Sequence, residues 1–562
     1  MSNSDNDILI NTLPTEEEVE MDAIRRSRFT LGVYKVASVE TLKFWLMAIT
    51  FAIIAYIYTL SRGIKEAFII VRQIPASVNI LKLFYVLPIA AISTMIIQNA
   101  LTYTDNKTIL KKILIGYGIY FMIYGFISLP FLPSVESETM RTMLEDSISD
   151  GKMKYKKIED YAAFLYTFIS WTSTLHFIVS EIWGTIVLSL LFLSFVNDVC
   201  PFKQFMRFIT LFYIISNVAV IFSAGSMYFL QLLLKEKGFI TGKTCLSCIF
   251  LIMGILSLIC YVFIVLLDNK VLSKPTYIVE TRIKKSKTKT PGFTEGIEMA
   301  FDSKLVLGVC FIVFFYNTTA NIAGISAKSA QRIMSEKLGT KEDYIIKNQF
   351  ISQLITGSFT IFILLLPLTK YAVKKTWTII ALASPFFIFI SSILIFTLAI
   401  YNTILTDTAI SVKLLKPIFT SKFVTNILKN LSIDSLDAEV IVGVFSDGLF
   451  RVVKYAFFDI TKESLSMRID STYRSRFKGI YDGIFAKIGR AGSSLLIIII
   501  CRFLSIKDMR DASLIFLVIN IASVIIWTFI IFYLGSKYNK SINENVTIDL
   551  DLAGKQKETI VE

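Results

Sequence analysis

The sequence predicts an all-α integral membrane protein of about twelve transmembrane helices, arranged in two six-helix bundles. Hydrophobic residues make up 54% of the 562 residues, and charged residues make up only 18%. The apolar residues are gathered into blocks of about 18–25, the length that an α-helix needs to cross ~30 Å of hydrocarbon. Barrel strands do not explain such blocks, because they alternate polar and apolar residues and are only about ten residues long.

Twelve spans are predicted in two sets of six. The first set lies near residues 43–71, 78–102, 109–132, 174–197, 204–233 and 245–267. The second set lies near residues 303–326, 346–369, 376–401, 437–460, 477–502 and 511–534. Between the sets lies a strongly basic segment, which we interpret as a cytoplasmic linker.

This pattern divides the chain into five predicted parts. They are a cytoplasmic N-terminal tail (1–42), a first bundle (43–268), the basic linker (269–302), a second bundle (303–535) and a cytoplasmic C-terminal tail (536–562). An even number of spans places both termini on the linker side, and the short loops on that side are rich in Lys and Arg, as the positive-inside rule expects. Paired lysines open the third and ninth spans, which is typical of parallel repeats in a transporter.

The net charge of +14 does not indicate nucleic-acid binding, because no basic patch with interleaved aromatic residues lies on a soluble segment. Cytoplasmic loops and an anion-binding cavity are the other places for such charge. His176 is the only histidine, so no histidine metal cluster can form, and no cofactor is expected. The acidic N-terminus fits neither a secretory signal nor a transit peptide.

Three short patterns that suggest other chemistry are interpreted as coincidental. Residues 238–244 look like a phosphate-binding loop, but they are one residue short of the required spacing and join two spans. Cys245 and Cys248 lack a second pair of zinc ligands. A membrane-embedded enzyme would need an acid-base cluster, and the nearest candidates fit better as loop and helix-start charges. These candidates are Asp434, Asp437 and Glu439. The sequence therefore predicts a protein that is not an enzyme.

Charged side chains inside the apolar blocks predict the functional site. A Lys or Glu at the bilayer centre costs about 2.5–3.5 kcal/mol on insertion scales, so such residues usually face a cavity or a partner. The alternative for each is a position near a helix end, where the side chain reaches water or pairs with another charge. The predicted site residues are Lys65 in the first span, Glu181 in the fourth, Arg451, Lys454, Asp459 and Lys462 in the tenth, and Lys487 and Arg490 in the eleventh.

Cations from both halves would together make a strongly positive central site. Phosphate oxygens accept charge-assisted hydrogen bonds and offset buried cations, so such a site fits a polyanion. Aromatic residues beside these charges would be available to stack on a base. They are Trp183, Tyr455, Phe457, Phe458 and Tyr481.

Four segments carry a recognisable pattern. They read Ser61-Arg-Gly-Ile-Lys-Glu66, Glu181-Ile-Trp-Gly-Thr-Ile-Val-Leu-Ser-Leu-Leu-Phe192, Val453-Lys-Tyr-Ala-Phe-Phe-Asp-Ile-Thr-Lys-Glu463, and Phe477-Lys-Gly479 with Lys487-Ile-Gly-Arg-Ala-Gly492. The pattern resembles the ATP:ADP antiporter, or nucleotide transporter, family of plastids, obligate intracellular bacteria and microsporidia. The similarity runs from about residue 40 to residue 535 and implies a major-facilitator-like fold with a central site between the bundles.

The resemblance implies a function and roles for matching positions. It implies exchange or import of ATP, ADP and other purine nucleotides by alternating access, with Lys65, Glu181 and either Lys454 or Lys462 associated with transport. A family acid in the seventh span falls at Gly324, a departure that would change the exchange or the range of nucleotides. The alternative function is a proton-coupled transporter of another organic anion or of peptides on the same architecture.

The resemblance also implies where the protein acts. The acidic N-terminus and the long linker are most similar to parasite members of the family, which sit in the parasite plasma membrane. The membrane of a reduced mitochondrion is the alternative. The expected partners are nucleotides and the lipid bilayer, and the expected form is a monomer.

Overall fold

The computed structural model describes residues 14–27, 34–73, 77–131, 136–149, 158–273, 293–338, 341–366, 377–405, 434–504, 506, 508–544 and 546–551. The regular elements in these ranges are helices. Most of the predicted basic linker (274–292) lies outside the described residues, as does most of the predicted loop 402–436.

Eleven of the described helical segments are long and apolar enough to cross a membrane. In the first half they are Ser38–Glu66, Ser77–Tyr103, Asn106–Ser128, Trp171–Val199, Phe202–Phe229 and Thr244–Leu272, which we number spans 1–6. In the second half they are Lys304–Ser335, Lys347–Leu365, Trp377–Ile404, Tyr473–Phe503 and Met509–Glu544, which we number spans 7–9, 11 and 12. The predicted class, an all-α multi-pass membrane protein, is confirmed.

Span 10 differs from the others because it is rich in charged residues. It runs as an α-helix over Ser435–Val453, as a π-helix over Lys454–Phe458 and again as an α-helix over Asp459–Ser466. The Arg451–Asp447 pair at i,i+4, with 2.5 Å between its nitrogen and oxygen, supports the helix from its own side chains. The charges that make it a poor lipid-facing helix are the charges expected of a helix that faces a polar interior.

Spans 5 and 6 are joined by helical backbone, which is continuous over Phe202–Leu267. The chain nevertheless reverses direction between them. Ser226 of span 5 and Leu256 of span 6 show this reversal, because both line the same groove beside Tyr56 of span 1. The segment 238–244 lies in this helical connection. A phosphate-binding loop requires a strand before it, so the coincidental interpretation agrees with the backbone.

In the described part of the chain, four shorter helices lie outside the spans. They are Glu16–Ser27, Glu138–Ser149, Ile158–Ile169 and Phe293–Asp302. The loop between the predicted spans 109–132 and 174–197 therefore contains helix, and its Glu136 accepts hydrogen bonds from Arg72 and Thr172. These contacts attach the loop to the ends of spans 1 and 4.

The two largest hydrophobic cores among the described residues are each centred on one half of the chain. The first is built around large side chains from spans 1, 4, 5 and 6, among them Phe51, Trp183 and Phe250. The second contains Trp377 and Trp527 of spans 9 and 12. In lipid, close van der Waals packing and hydrogen bonds between helices, rather than removal of apolar area from water, stabilise each half internally. The exact limits of the two predicted bundles stay a prediction.

Successive spans alternate in direction, which defines two sides of the molecule. Lys43 Nζ at the start of span 1 donates to the carbonyl oxygen of Val199 at the end of span 4, at 2.7 Å. Lys107 at the start of span 3 pairs with Asp268 at the end of span 6, at 2.8 Å. We call this side, where span 6 ends, the linker side, and the other the opposite side.

Candidate functional site

A single carboxylate, Glu181 of span 4, lies at the centre of the site. Lys65 Nζ of span 1 donates to its Oε1. From the other half of the chain, Lys487 Nζ and Arg490 Nη1 of span 11 donate to its Oε2, at 2.7 Å and 3.1 Å. Lys65, Glu181, Lys487 and Arg490 form what we call the central cluster, and it joins the two halves through charge-assisted hydrogen bonds.

Tryptophan and π-helical turns position this cluster. Trp183, two residues after Glu181, is fully buried, and its Nε1 donates to the carbonyl oxygen of Ile54 at 3.1 Å. This bond fixes span 4 against span 1. A π-helix follows Glu181 over Trp183–Phe192, and another precedes Lys487 over Gly479–Phe485. Such π segments occur frequently at functional sites because they change the direction in which helical side chains point.

A cavity of about 50 Å³ lies beside the cluster, between the two halves. Its walls come from spans 1, 4, 7, 10 and 11 and include Tyr58, Glu181, Asn317, Lys454, Lys487 and Arg490. Asn317 Oδ1 accepts from Arg490 Nε at 2.9 Å, so the guanidinium is held from two directions. Cavities that hold ligands of ordinary size are about 300–1,000 Å³. The cavity as it stands is therefore too small to hold a nucleotide.

The two candidate lysines of span 10 have different surroundings. Lys462 Nζ lies 2.5 Å from Asp482, 3.6 Å from Asp459 and 3.8 Å from Glu463. Lys454 also lines the cavity, and its Nζ lies 5.6 Å from the Tyr455 ring centroid. Among the described residues, no carboxylate lies within 4 Å of Lys454. The charge of Lys462 is therefore compensated inside the protein, and that of Lys454 is available to a ligand.

The linker side of the cavity is closed by a buried ionic network. Lys478 Nζ of span 11 donates to Glu463 Oε2 of span 10 at 2.6 Å, and both side chains are 0% exposed. Asn197 Nδ2 at the end of span 4 reaches the same carboxylate at 3.4 Å and joins it to the first half. We call Lys462, Glu463, Lys478 and Asp482 the linker-side network.

On the opposite side the charged residues are more exposed. Lys328 Nζ of span 7 and Gln349 Nε2 of span 8 donate to Glu66 Oε2 of span 1, at 3.1 Å and 2.8 Å. The side chains of Arg62, Lys328 and Arg490 are 26%, 40% and 28% exposed. Water therefore reaches the central cluster more readily from the opposite side than from the linker side.

The predicted site residues fall into three groups in space. Lys65, Glu181, Lys487 and Arg490 meet in the central cluster, and Lys454, Asp459 and Lys462 also line or adjoin the cavity. Arg451 pairs with Asp447 at 2.5 Å instead and is not among the cavity-lining residues described.

Several polar residues near the site were not predicted from the sequence. Lys82 lies inside the apolar block predicted as span 2, so the same rule that selected Lys65 would have selected it. Tyr58 and Asn317 are neutral residues in apolar helices, and the sequence carries no signal that they line a cavity. Gly324, the position of the apparent missing acid, faces open space: no described atom lies within 4 Å of a Cβ placed there.

The family of the chain follows from a comparison with known proteins. The family model described as TLC ATP/ADP transporter matches residues 19–538. The chain belongs to the TLC ATP/ADP transporter family. The resemblance inferred from four segments is therefore confirmed over nearly the whole chain.

Individual relatives agree with this placement. ADP,ATP carrier protein 1 of Paranosema grylli is 32% identical over 543 residues, covering 96% of this chain and 96% of the relative. ADP,ATP carrier protein 1 of Encephalitozoon cuniculi is 30% identical, covering 98% and 96%. ADP,ATP carrier protein 1 of Rickettsia prowazekii is 24% identical, covering 91% and 96%. These relatives are carriers, which is consistent with the expectation that this TLC family member is not an enzyme.

A solved structure supports the fold. The major facilitator superfamily proton:xylose symporter XylE superposes with a TM-score of 0.50 at 12% sequence identity, covering 88% of this chain and 96% of the symporter. This likeness concerns the fold alone. The predicted major-facilitator-like architecture is confirmed.

Proposed function

We propose that this TLC family member exchanges ATP for ADP across a membrane, and that the cations around the central cavity bind the nucleotide phosphates. The observation that carries the proposal is the central cluster itself. Cations from both halves converge on one carboxylate beside a cavity, and one more cation, Lys454, has no acidic partner within 4 Å among the described residues.

The charge balance favours a polyanionic substrate. Three cations share the single carboxylate of Glu181, so the cluster carries a surplus of positive charge even before Lys454 is counted. Uncompensated charge in a membrane interior is costly, and phosphate groups offer several oxygens to accept charge-assisted hydrogen bonds. Nucleotide phosphates would complete the coordination of Lys454, Lys487 and Arg490.

Glu181 acts in this proposal as an internal counter-charge. It holds Lys487 and Arg490 when no phosphate does, and Lys65, 2% exposed, holds Glu181 within the first half. Lys462 and Asp459 contribute charges to the electrostatic potential of the cavity wall. Arg451 contributes indirectly, through its ion pair with Asp447. Tyr58 and Phe458 line the same cavity and are placed to contact the base.

Contacts on each side of the cavity support alternating access. On the linker side Asn197 of the first half reaches Glu463 of the second, and on the opposite side Glu66 of the first half binds Lys328 of the second. A cavity of about 50 Å³ must widen before a nucleotide fits. Breaking one set of contacts at a time would open the cavity to one side at a time.

Exchange of ATP for ADP moves about one net negative charge, which is worth about 2.3 kcal/mol per 100 mV of membrane potential. We therefore expect the potential to bias the direction of exchange. The finer assignments belong to the same proposal: a monomer in the plasma membrane of a parasite, with both termini cytoplasmic, that also accepts other purine nucleotides.

The test is uptake of labelled ATP by vesicles that contain the protein. Uptake by vesicles preloaded with ADP should be several-fold faster than uptake by empty vesicles, and unlabelled ADP outside should compete. Inorganic phosphate and peptides should not compete. The proposal would be contradicted if the rate of uptake did not depend on the nucleotide inside the vesicles, or if uptake depended on a pH gradient instead. Dependence on a pH gradient would favour the proton-coupled alternative, which the family comparison does not support.

A further inference from the structure

One partly buried lysine of the first half is not used by the site described above. Lys82 lies in the π-helical turn Leu81–Val86 at the opposite-side end of span 2. Its Nζ donates to Asn321 Oδ1 of span 7 at 3.0 Å. Within the described ranges, no carboxylate oxygen lies within 4 Å of this ammonium. Lys82 is therefore a cation at the interface of the two halves whose protein partner is a neutral amide.

The amide that binds Lys82 is fixed in orientation and adjoins the central cluster. Asn321 Nδ2 donates to Ser493 Oγ at 2.8 Å and to the carbonyl oxygen of Arg490 at 3.4 Å. These bonds leave Oδ1 to face Lys82. Since Arg490 also binds Glu181, a ligand leaving Lys82 toward the centre of the molecule meets the central cluster next.

Beyond Asn321, span 7 offers space and a second cation. Gly324 follows one turn later, and no described atom lies within 4 Å of a Cβ built there. Lys328 follows one further turn on, with its side chain 40% exposed and its Nζ 3.1 Å from Glu66. Residues three and four apart share a helix face, so Asn321, Gly324 and Lys328 line one approach.

The charge on this approach is unbalanced. Four cations line it (Arg62, Lys82, Lys328 and Arg451) against two carboxylates. Glu66 contacts Arg62 at 3.8 Å and Lys328 at 3.1 Å, and Asp447 pairs with Arg451 at 2.5 Å, which leaves a surplus of two positive charges. Cationic walls around accessible space concentrate anions and speed their association. A ligand with several negative oxygens fits both the surplus charge and the open space.

We propose that Lys82 and Lys328 form a second phosphate-binding subsite, on the opposite-side approach, which binds a nucleotide before it reaches the central cluster. The subsite rests on the proposed function, because the ligand is the transported nucleotide. It lies on one side of the central cavity only. Its loss should therefore affect nucleotides arriving from the opposite side and leave those arriving from the linker side unaffected.

The experiment compares Lys82→Gln with wild type in ATP/ADP exchange measured from each side. Right-side-out and inside-out vesicles provide the two orientations, and the accessibility of an affinity tag on the C terminus identifies which vesicles expose the linker side. Loss of one charge-assisted contact should raise KM for ATP about tenfold or more from the opposite side, and change it less than about twofold from the linker side.

A second variant tests the subsite without touching Lys82. Gly324→Glu places a carboxylate four residues before Lys328, the spacing of a helical ion pair, and should raise KM from the opposite side. Gly324→Gln has the same shape without the charge and should raise it less. Lys337→Gln is the control, because Lys337 follows span 7 on the same side but is 59% exposed and pairs with Asp434.

The outcomes separate the two proposals. If wild-type protein exchanges ATP and Lys82→Gln alters KM equally from both sides, or from neither, the subsite is overturned and the proposed function stands. Equal effects of Gly324→Glu and Gly324→Gln would also overturn it, because shape rather than charge would then explain the change. If wild-type protein exchanges no nucleotide from either side, the proposed function itself fails.

Discussion

Neutralising Lys454 isolates the contribution of one cavity cation to transport. Lys454 lines the cavity together with Lys487 and Arg490, and among the described residues no acid lies within 4 Å of it. Lys454→Gln therefore removes a ligand contact without leaving a buried carboxylate unpaired. A charge-assisted hydrogen bond is worth about 1.5–3 kcal/mol, which corresponds to a loss of about 10- to 150-fold in kcat/KM for ATP.

Lys462→Gln serves as the matched comparison, one helical segment further along span 10. It removes the cation that faces Asp482, Asp459 and Glu463, and breaking a buried pair costs about 3–5 kcal/mol of stability. Labelled-ATP exchange and thermal unfolding of the purified protein should separate the variants. Lys454→Gln should lose transport and keep its unfolding midpoint, and Lys462→Gln should lower the midpoint. Exchange by Lys454→Gln within about twofold of wild type would refute the reasoning.

Two further predictions concern contacts between spans, one at the opposite-side end of span 10 and one in the cavity wall. Glu439→Gln should lower stability by about 3–5 kcal/mol, because the buried carboxylate accepts from Arg510 Nε at 2.9 Å and Nη2 at 2.6 Å; an unchanged unfolding midpoint in detergent would contradict this. Gly184→Ala should reduce exchange and cost about 1–3 kcal/mol, because its Cβ would lie 2.3 Å from the Tyr58 ring in the cavity wall. Gly225→Ala, whose Cβ meets no described atom within 4 Å, is the control, and equal exchange by both variants would count against the steric argument.

The helical spans could be predicted from the sequence because hydrocarbon imposes their length and composition. Span 10 departs most from that composition, since its charges exclude it from the helices that are apolar enough to cross a membrane by composition alone. It was still predicted at 437–460, because the apolar residues between its charges keep a helical block. The short helices Glu138–Ser149 and Ile158–Ile169 were missed, because twelve-residue helices leave no hydrophobic block of membrane length.

The candidate site was predicted in part, because a charge inside an apolar block is visible in the sequence and its partner is not. The sequence alone could not show which of Lys454 and Lys462 is available to bind the substrate. The distinction depends on which carboxylates approach from span 11, where Asp482 reaches Lys462 at 2.5 Å. That distance is a property of packing between helices, and a single sequence does not contain it.

The roles of Lys82 and Glu463 depend on the same kind of information. Lys82 stands next to a neutral amide of span 7, and Glu463 is shared between Lys478 and Asn197. The Lys82–Asn321 and Asn197–Glu463 contacts each join residues more than two hundred positions apart, across the two halves, whereas Lys478 and Glu463 are 15 positions apart on neighbouring spans. Their detection requires the spatial arrangement of the spans, which follows from the packed cores rather than from local composition.

A structure of the purified protein with bound ADP tests the central claim most directly. Phosphate oxygens should lie within about 3 Å of the nitrogens of Lys454, Lys487 and Arg490, with Glu181 moved away from at least one of the cations that it now holds. The claim would be contradicted if ADP bound elsewhere while Glu181 kept all three of its cations, because the surplus charge between the halves would then have no part in holding the nucleotide.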